Sequence, residues 1–134
     1  TMLVDEDAYS EQSCRVIARL AKEVVCEANA LPHTAMLDGA RRDSRLALAR
    51  QTAMYLAHVV GQLTLNEIAT HFKKNRTTVS HSCTNIEDRR DSPLFDLQIE
   101  FMEKQLRARI DDYRGLRSSE KKSVGAVDVF APRR

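Results

Sequence analysis

Apolar residues recur at steps of three and four along most of this chain, and this spacing constrains its fold more than any other feature. A helix turns once every 3.6 residues, so residues at these steps share one face. No segment alternates apolar and polar residues for long enough to predict a strand. The chain therefore has the pattern of an all-α protein. The stripe of the first such segment, 10–29, consists of Cys14, Ile17, Leu20, Ala21, Val24 and Val25.

Capping and turn residues mark where the predicted helices begin and end. Gly61 is expected to stop the helix before it. Thr64 with Glu67 has the spacing of a capping box, and Ser92-Pro93 is typical of a helix start. The predicted helices cover residues 10–29, 46–60, 64–72, 77–89 and 93–114, with a short helix or turn at 33–40.

The length of 134 residues suits one domain. We expect that domain over residues 1–116, beginning with an acidic N-terminal helix. After Gly115 the sequence becomes polar, so residues 117–134 are expected to form a flexible tail. The last helix is expected to give one apolar stripe to the core, made of Leu94, Leu97, Phe101, Leu106, Ile110 and Tyr113.

Charge and cysteine content narrow the functional classes. Residues 41–90 carry 9 basic and 4 acidic side chains, whereas residues 1–40 carry 3 and 7. A basic segment attracts phosphate, although charge alone fits a solvated face equally well. The three cysteines form no CxxC pair, and no apolar segment approaches the roughly 20 residues that cross a bilayer. We therefore expect a reduced, cytoplasmic setting with no membrane partner and no metal site.

Two short helices joined by a tight turn, at 64–72 and 77–89, predict a helix-turn-helix. Ala69 is small enough to let the two helices approach, and Val79 is expected to seal the corner from the second one. Ile68 and Cys83 would complete this small core. The first turn of the second helix would then face DNA bases, which involves Asn75, Arg76, Thr77 and Thr78, with His81 one turn further on. The alternative is that the threonines only cap the helix and that His81 is an ordinary surface residue.

The segment Ala49–Ala57, with the sequence ARQTAMYLA, is very similar to the start of the long helix in the C-terminal DNA-binding domain of the replication initiator DnaA. The segments Leu65–Ile68 and Thr77–Val79, followed by His81 and Cys83, keep the family's order. The resemblance spans about residues 14–113. It implies the family's fold, a helical bundle with a helix-turn-helix.

The resemblance also implies how DNA is held. The family's helix-turn-helix reads the major groove, while an arginine of the preceding basic turn enters the minor groove, a place that suits arginine. Arg42 aligns with that arginine, and Arg50 and Gln51 match residues that hold phosphate. The full set of predicted DNA-binding residues is Arg42, Arg45, Arg50, Gln51, Lys73, Lys74, Asn75, Arg76, Thr77, Thr78 and His81.

The turn between the two short helices departs from the family's pattern. The family carries Gly-Gly, then Arg, Asp and His before Thr-Thr, whereas this chain has Lys73, Lys74, Asn75 and Arg76, one residue fewer. Aspartate accepts from cytosine and asparagine prefers adenine, so a changed base preference is expected. Without the glycines, a lysine or Asn75 is expected to take a left-handed conformation.

No GxxxxGK[ST] loop is present, so the sequence predicts no ATP site and no cofactor. It also places no catalytic triad or carboxylate pair, and we expect no enzymatic activity. The first functional hypothesis is a stand-alone bacterial relative of the initiator domain that binds initiator boxes and modulates replication initiation. The second is a transcription regulator acting on other sites, and the third is an interaction protein with vestigial DNA contacts. Double-stranded DNA is the expected partner, a replication initiator or other replication protein is a further candidate, and the chain is expected to be a monomer.

Overall fold

The computed structural model describes residues 10–36 and 44–122, with side chains up to residue 116. The described residues contain helices and turns and no strand, which confirms the all-α prediction. Five α-helices and one short 3-10 helix follow in order: α1 (Glu11–Ala28), the 3-10 helix (His33–Met36), α2 (Ser44–Val59), α3 (Leu65–Phe72), α4 (Arg76–Arg89) and α5 (Pro93–Lys122). None of the described helices combines the length and the apolarity that a membrane crossing requires.

Helix α2 is the centre of the fold. It packs against α1 on one side and α4 on another, with further contacts to α3 and α5. Every residue from 52 to 57 is buried, so this part of α2 is enclosed on all sides and not only along one stripe. The small side chains of Ala53 and Ala57 let its neighbours approach closely, while Leu56 fills the space between them.

Side-chain caps are present at the start of α1 and of α3. Ser10 caps α1, its side-chain oxygen accepting from the backbone N–H of Ser13 at 3.0 Å. At α3, Thr64 Oγ1 accepts from the N–H of Glu67 at 3.1 Å, and Glu67 Oε1 accepts from the N–H of Thr64 at 2.8 Å. This reciprocal pair is a complete capping box and satisfies two donors that the helix itself leaves unpaired.

Gly61 follows α2 as predicted, although it is not the left-handed residue of this turn. The left-handed residue of this turn is Gln62, with φ 62°, and no glycine of the described chain has a positive φ. Gly61 is needed because α1 and α2 leave no room for a side chain. A Cβ there would lie 2.6 Å from the carbonyl oxygen of Ala57 and 2.6 Å from Cγ2 of Ile17. Close approach, and not backbone conformation, therefore requires glycine at this position.

Helix α5 differs from the prediction in its buried face. Leu94, Leu97 and Phe101 are 67%, 61% and 56% exposed. They form a second apolar stripe that stays mostly exposed, and Leu97 and Phe101 border a pocket beside Ala28 at the end of α1. The monomer prediction assumed a single stripe and stays a prediction. Leu106 and Ile110 enter the core as predicted, and Ile99 and Met102 join them there.

The same helix is longer than predicted, since it continues through Gly115 to Lys122. A glycine inside an exposed helix costs only about 1 kcal/mol, which the flanking helix-forming residues offset. Residues 117–122 of the expected tail are therefore helical. Residues 123–134, the remainder of that segment, lie outside the described residues.

Side chains from three helices lock α4 in place. Tyr55 of α2 donates its hydroxyl to Glu87 Oε1 at 2.7 Å, and Arg90 donates to the same hydroxyl at 3.0 Å. Arg90 also donates to Asp96 at 2.6 Å and to Glu103 at 2.8 Å, both on α5. Burial, together with the bond to Glu87, raises the pKa of Tyr55 to about 12. The network fixes the C-terminal end of α4 and hence the direction in which the helix points.

Candidate nucleic-acid interface

Helices α3 and α4 form the predicted helix-turn-helix. Helix α3 ends at Phe72, and α4 begins at Arg76 after three turn residues. Lys73 takes the left-handed conformation, with φ 58° and ψ 47°, and its N–H donates to the carbonyl of Ala69. The N–H of Lys74 donates to the same carbonyl at 3.0 Å. Of the two predicted candidates for this conformation, a lysine or Asn75, the left-handed residue is thus Lys73.

The corner between the two helices has the predicted core. Ile68 and Val79 have no exposed surface. Ala69 and Cys83 are half-buried and pack against the same cluster. Burial raises the pKa of the Cys83 thiol, so at neutral pH this sulfur is a packing group and not a thiolate. The angle between α3 and α4 is therefore set by tight apolar contact.

One face of α4 remains exposed beyond this corner. Arg76, Thr77, His81 and Thr84 are exposed, while Val79, Ser82 and Ile86 on the other side are buried. Residues 77, 81 and 84 are four and three positions apart, so they share one face. Two predicted DNA-binding side chains, Thr77 and His81, thus share this face, and Arg76 is exposed at the start of the helix.

Asn75 supplies the cap of α4. Its Oδ1 accepts from the backbone N–H of Thr78 at 2.8 Å, and its backbone is extended, with φ −84° and ψ 162°. The alternative in which the threonines cap this helix is therefore wrong, because the cap belongs to Asn75. Thr77 is exposed and Thr78 is half-buried.

Gln51 connects the start of α2 to α4. Its Oε1 accepts from Asn85 Nδ2 at 2.6 Å. The amide oxygen of Gln51 accepts this bond, and its amide nitrogen is the group that could donate to a phosphate. Gln51 thus connects α2 to α4, and its predicted phosphate contact stays a prediction.

A pocket of about 210 Å³, called the basic pocket below, opens between α1, the start of α2 and the end of α3. Four of its lining residues carry a cationic group: Lys22, Arg50, Lys73 and Lys74. Met36, His71 and Phe72 complete the wall. It borders the turn of the helix-turn-helix, beside the first turn of α4.

No carboxylate of the described residues forms an ion pair with these four cations. Arg50 Nη1 is buried and has no hydrogen-bond partner. Buried charged groups are ordinarily paired, so this guanidinium nitrogen is a donor that an anion could use. Glu11 lies 3.7 Å from Nε2 of His71, another residue of the pocket wall.

Lys22 is the one cation of the basic pocket that was not predicted from the sequence. Its Nζ donates to the carbonyl of His71 at 3.3 Å and lies 4.6 Å from the ring centre of Phe72. Burial, and then the charge of Lys73, lower the pKa of Lys22. A signal was present, because Lys22 is a cation four residues after Ala18 and three before Val25, at the edge of the apolar stripe of α1.

The basic turn before α2 is only partly described. Arg42, predicted for the minor groove, lies outside the described residues. Arg45 is exposed in the first turn of α2. Of the eleven predicted residues, the structure thus places ten, all on α2 or in the helix-turn-helix.

The chain resembles known proteins in both sequence and structure. The family described as the bacterial DnaA protein helix-turn-helix matches residues 19–86. A crystal structure of a DNA replication initiation factor has a TM-score of 0.67 and 33% identity, covering 75% of this chain and 31% of that one. The replication initiator DnaA bound to AMPPCP and single-stranded DNA has a TM-score of 0.64 and 31% identity, covering 75% and 30%.

The present chain thus spans less than a third of the length of either solved protein. No protein of curated function matches it. The family match includes α2, α3 and nearly all of α4, and with them the basic pocket and the exposed face of α4.

Proposed function

Since the chain belongs to the family of bacterial DnaA helix-turn-helix proteins, we propose that it binds specific double-stranded DNA at sites like the initiator's boxes and so modulates the initiation of chromosomal replication. In this arrangement the exposed face of α4 enters the major groove. Arg76 and Thr77 would then reach base edges from its first turn, with His81 behind them. Arg42 would enter the adjacent minor groove, as the family resemblance implies.

The observation that supports this most directly is the unpaired Arg50 in the basic pocket. Four cationic groups converge there beside the turn that leads into α4. Bringing cations together raises the local potential, which a backbone phosphate would neutralise. A phosphate seated in the pocket would hold the protein in register on the duplex while α4 reads the bases.

The proposed role is non-catalytic, takes place in the cytoplasm and uses no cofactor. We propose that one copy of the chain binds one site, with a replication initiator or another replication protein as a second candidate partner. A regulator that binds other sites and controls transcription is the competing function. It is favoured by one observation, the shortened turn in which Lys73 is left-handed and Asn75 caps α4.

A competition assay separates these two functions. A labelled initiator box is bound by a purified DnaA DNA-binding domain, and this protein is titrated in. Displacement at concentrations near its own Kd would support the replication role. A preference of about a hundredfold for an unrelated sequence, worth about 2.7 kcal/mol, would favour the transcription regulator.

The dependence on salt tests DNA binding itself. The logarithm of the affinity should fall with the logarithm of salt concentration, with a slope of about −0.9 for each phosphate neutralised. With the pocket and the flanking arginines engaged, several phosphates should contribute. Binding that is insensitive to salt between low and physiological ionic strength would contradict the proposal.

A further inference from the structure

The cap of α4 fixes the orientation of the Asn75 amide. A helix cap needs an acceptor for a backbone N–H, and the amide of asparagine has its acceptor on Oδ1 and its donors on Nδ2. The 2.8 Å bond from the N–H of Thr78 therefore assigns Oδ1 to the helix side. The Nδ2 group is then the other arm of the amide. It makes no hydrogen bond to the part of the chain that the structure describes.

This free arm is placed for base recognition. Asn75 is exposed and immediately precedes the first turn of α4, the part of a helix-turn-helix that meets base edges. A bidentate pair with adenine needs Oδ1 and Nδ2 to face the base side by side. While Asn75 caps α4, one of these two atoms faces the helix. The adenine preference expected from the residue type alone therefore does not follow from the structure.

We propose that Asn75 acts as a specificity-determining residue that donates, through Nδ2, to a base with a major-groove acceptor. Guanine is the first choice because both its O6 and its N7 accept, and thymine O4 and adenine N7 are the others. Cytosine offers only its N4 donor in the major groove and is selected against. This inference rests on the proposed DNA binding and states which base class the site takes at one position.

The polarity of this arm is opposite to that of an aspartate at the same cap. Aspartate caps as well as asparagine does, but its second oxygen is an acceptor. It would therefore select a base with a donor, such as cytosine. A change of one atom, from oxygen to nitrogen, reverses the class of base selected without changing the fold of the helix.

The test is a selection from a randomised duplex library with the wild type, Asn75→Asp and Asn75→Ser. All three residues are good caps, so α4 should be retained, and thermal unfolding checks this. Asn75→Asp should change the preference at one position from an acceptor base to cytosine, by about tenfold, which is about 1.4 kcal/mol. Asn75→Ser keeps the cap but has no second arm, so it should lose the preference at that position alone.

Base preferences are compared within each variant, so the weaker overall affinity caused by an added negative charge cancels. Asn66→Asp is the matched control, because Asn66 is exposed on α3 and caps no helix. It should leave the preference at every position unchanged. If the wild type selects no sequence, the proposed function fails. If it selects a site but Asn75→Asp or Asn75→Ser retains the wild-type base at every position, the inference about Asn75 is overturned.

Discussion

Replacing Lys22 by glutamine should weaken DNA binding by removing one positive charge from the basic pocket. Glutamine retains a donor for the carbonyl of His71, which Lys22 contacts at 3.3 Å, and an apolar stem beside Phe72. The substitution therefore changes charge more than packing. Lys104 is the matched control, since it is exposed on α5 and does not line the pocket.

The size of the effect follows from what surrounds Lys22. No described carboxylate pairs with it, and burial and the neighbouring Lys73 lower its pKa, so its charge is unrelieved in the free protein. A hydrogen bond to a charged group contributes about 1.5–3 kcal/mol. Losing one to a phosphate should reduce affinity at low salt by about 10- to 100-fold. The salt slope should become shallower by about 0.9, which amounts to a factor of roughly 3.5 over a fourfold rise in salt.

Fluorescence anisotropy with a labelled duplex, repeated over a series of salt concentrations, gives both quantities. Lys104→Gln should reproduce the wild-type slope. Arg50→Gln should act in the same direction as Lys22→Gln. The double variant should lose less than the sum of the two single losses, because in the proposed complex both side chains would contact one phosphate.

The reasoning would be refuted if Lys22→Gln changed neither the affinity nor the slope beyond the change seen for Lys104→Gln. The pocket would then be a feature of the free protein that DNA does not use. If the variant lost affinity only because it unfolds, its Tm would be lowered. The folded molecules would then bind DNA with the wild-type dependence on salt.

Three further predictions concern stability and the division of work on DNA. Gly61→Ala should lower the free energy of unfolding by about 1–3 kcal/mol, because the new Cβ would lie 2.6 Å from a backbone oxygen. Gly115→Ala should raise the free energy of unfolding by about 0.5–1 kcal/mol, because nothing lies within 4 Å of its new Cβ and alanine favours the helix. Thermal unfolding of the two variants measures both effects. Arg90→Met should cost about 3 kcal/mol in chemical denaturation by leaving Glu103 unpaired, and adding Glu103→Leu should recover most of it, so equal losses in both variants would count against a charge effect. Arg42→Ala should weaken binding most at sites flanked by AT-rich sequence, as measured on duplexes differing only in that flank, and a uniform loss on all flanks would assign Arg42 to phosphate.

The positions of the helices could be predicted from the sequence because their signals are local. The capping box of Thr64 and Glu67, and Ser92-Pro93 before α5, act within one helical turn. The left-handed lysine was also predictable, because a shortened turn without glycine must place another residue there. Arg50 and Gln51 could be predicted as site residues from the family resemblance, because both belong to one contiguous motif.

Contacts between distant parts of the chain could not be predicted in this way. Which face of α5 is buried depends on how the helix lies on α1, and the three- and four-residue spacing of Leu94, Leu97 and Phe101 fits burial equally well. Lys22 enters the pocket only because α1 packs beside the end of α3, forty-nine residues further along the chain at His71.

The sequence by itself determined the helices, the helix-turn-helix and the family, since each depends on residues within a few turns of one another. Only the tertiary structure decided which cations converge and which polar atoms are already occupied. The Asn75 amide shows the difference. Its residue type allows a bidentate pair with adenine. The bond from the N–H of Thr78 assigns Oδ1 to the helix, so that only the Nδ2 group remains to contact a base. Hydrogen-bond capacity is a property of the side chain, whereas its availability is set by the neighbours that the fold supplies.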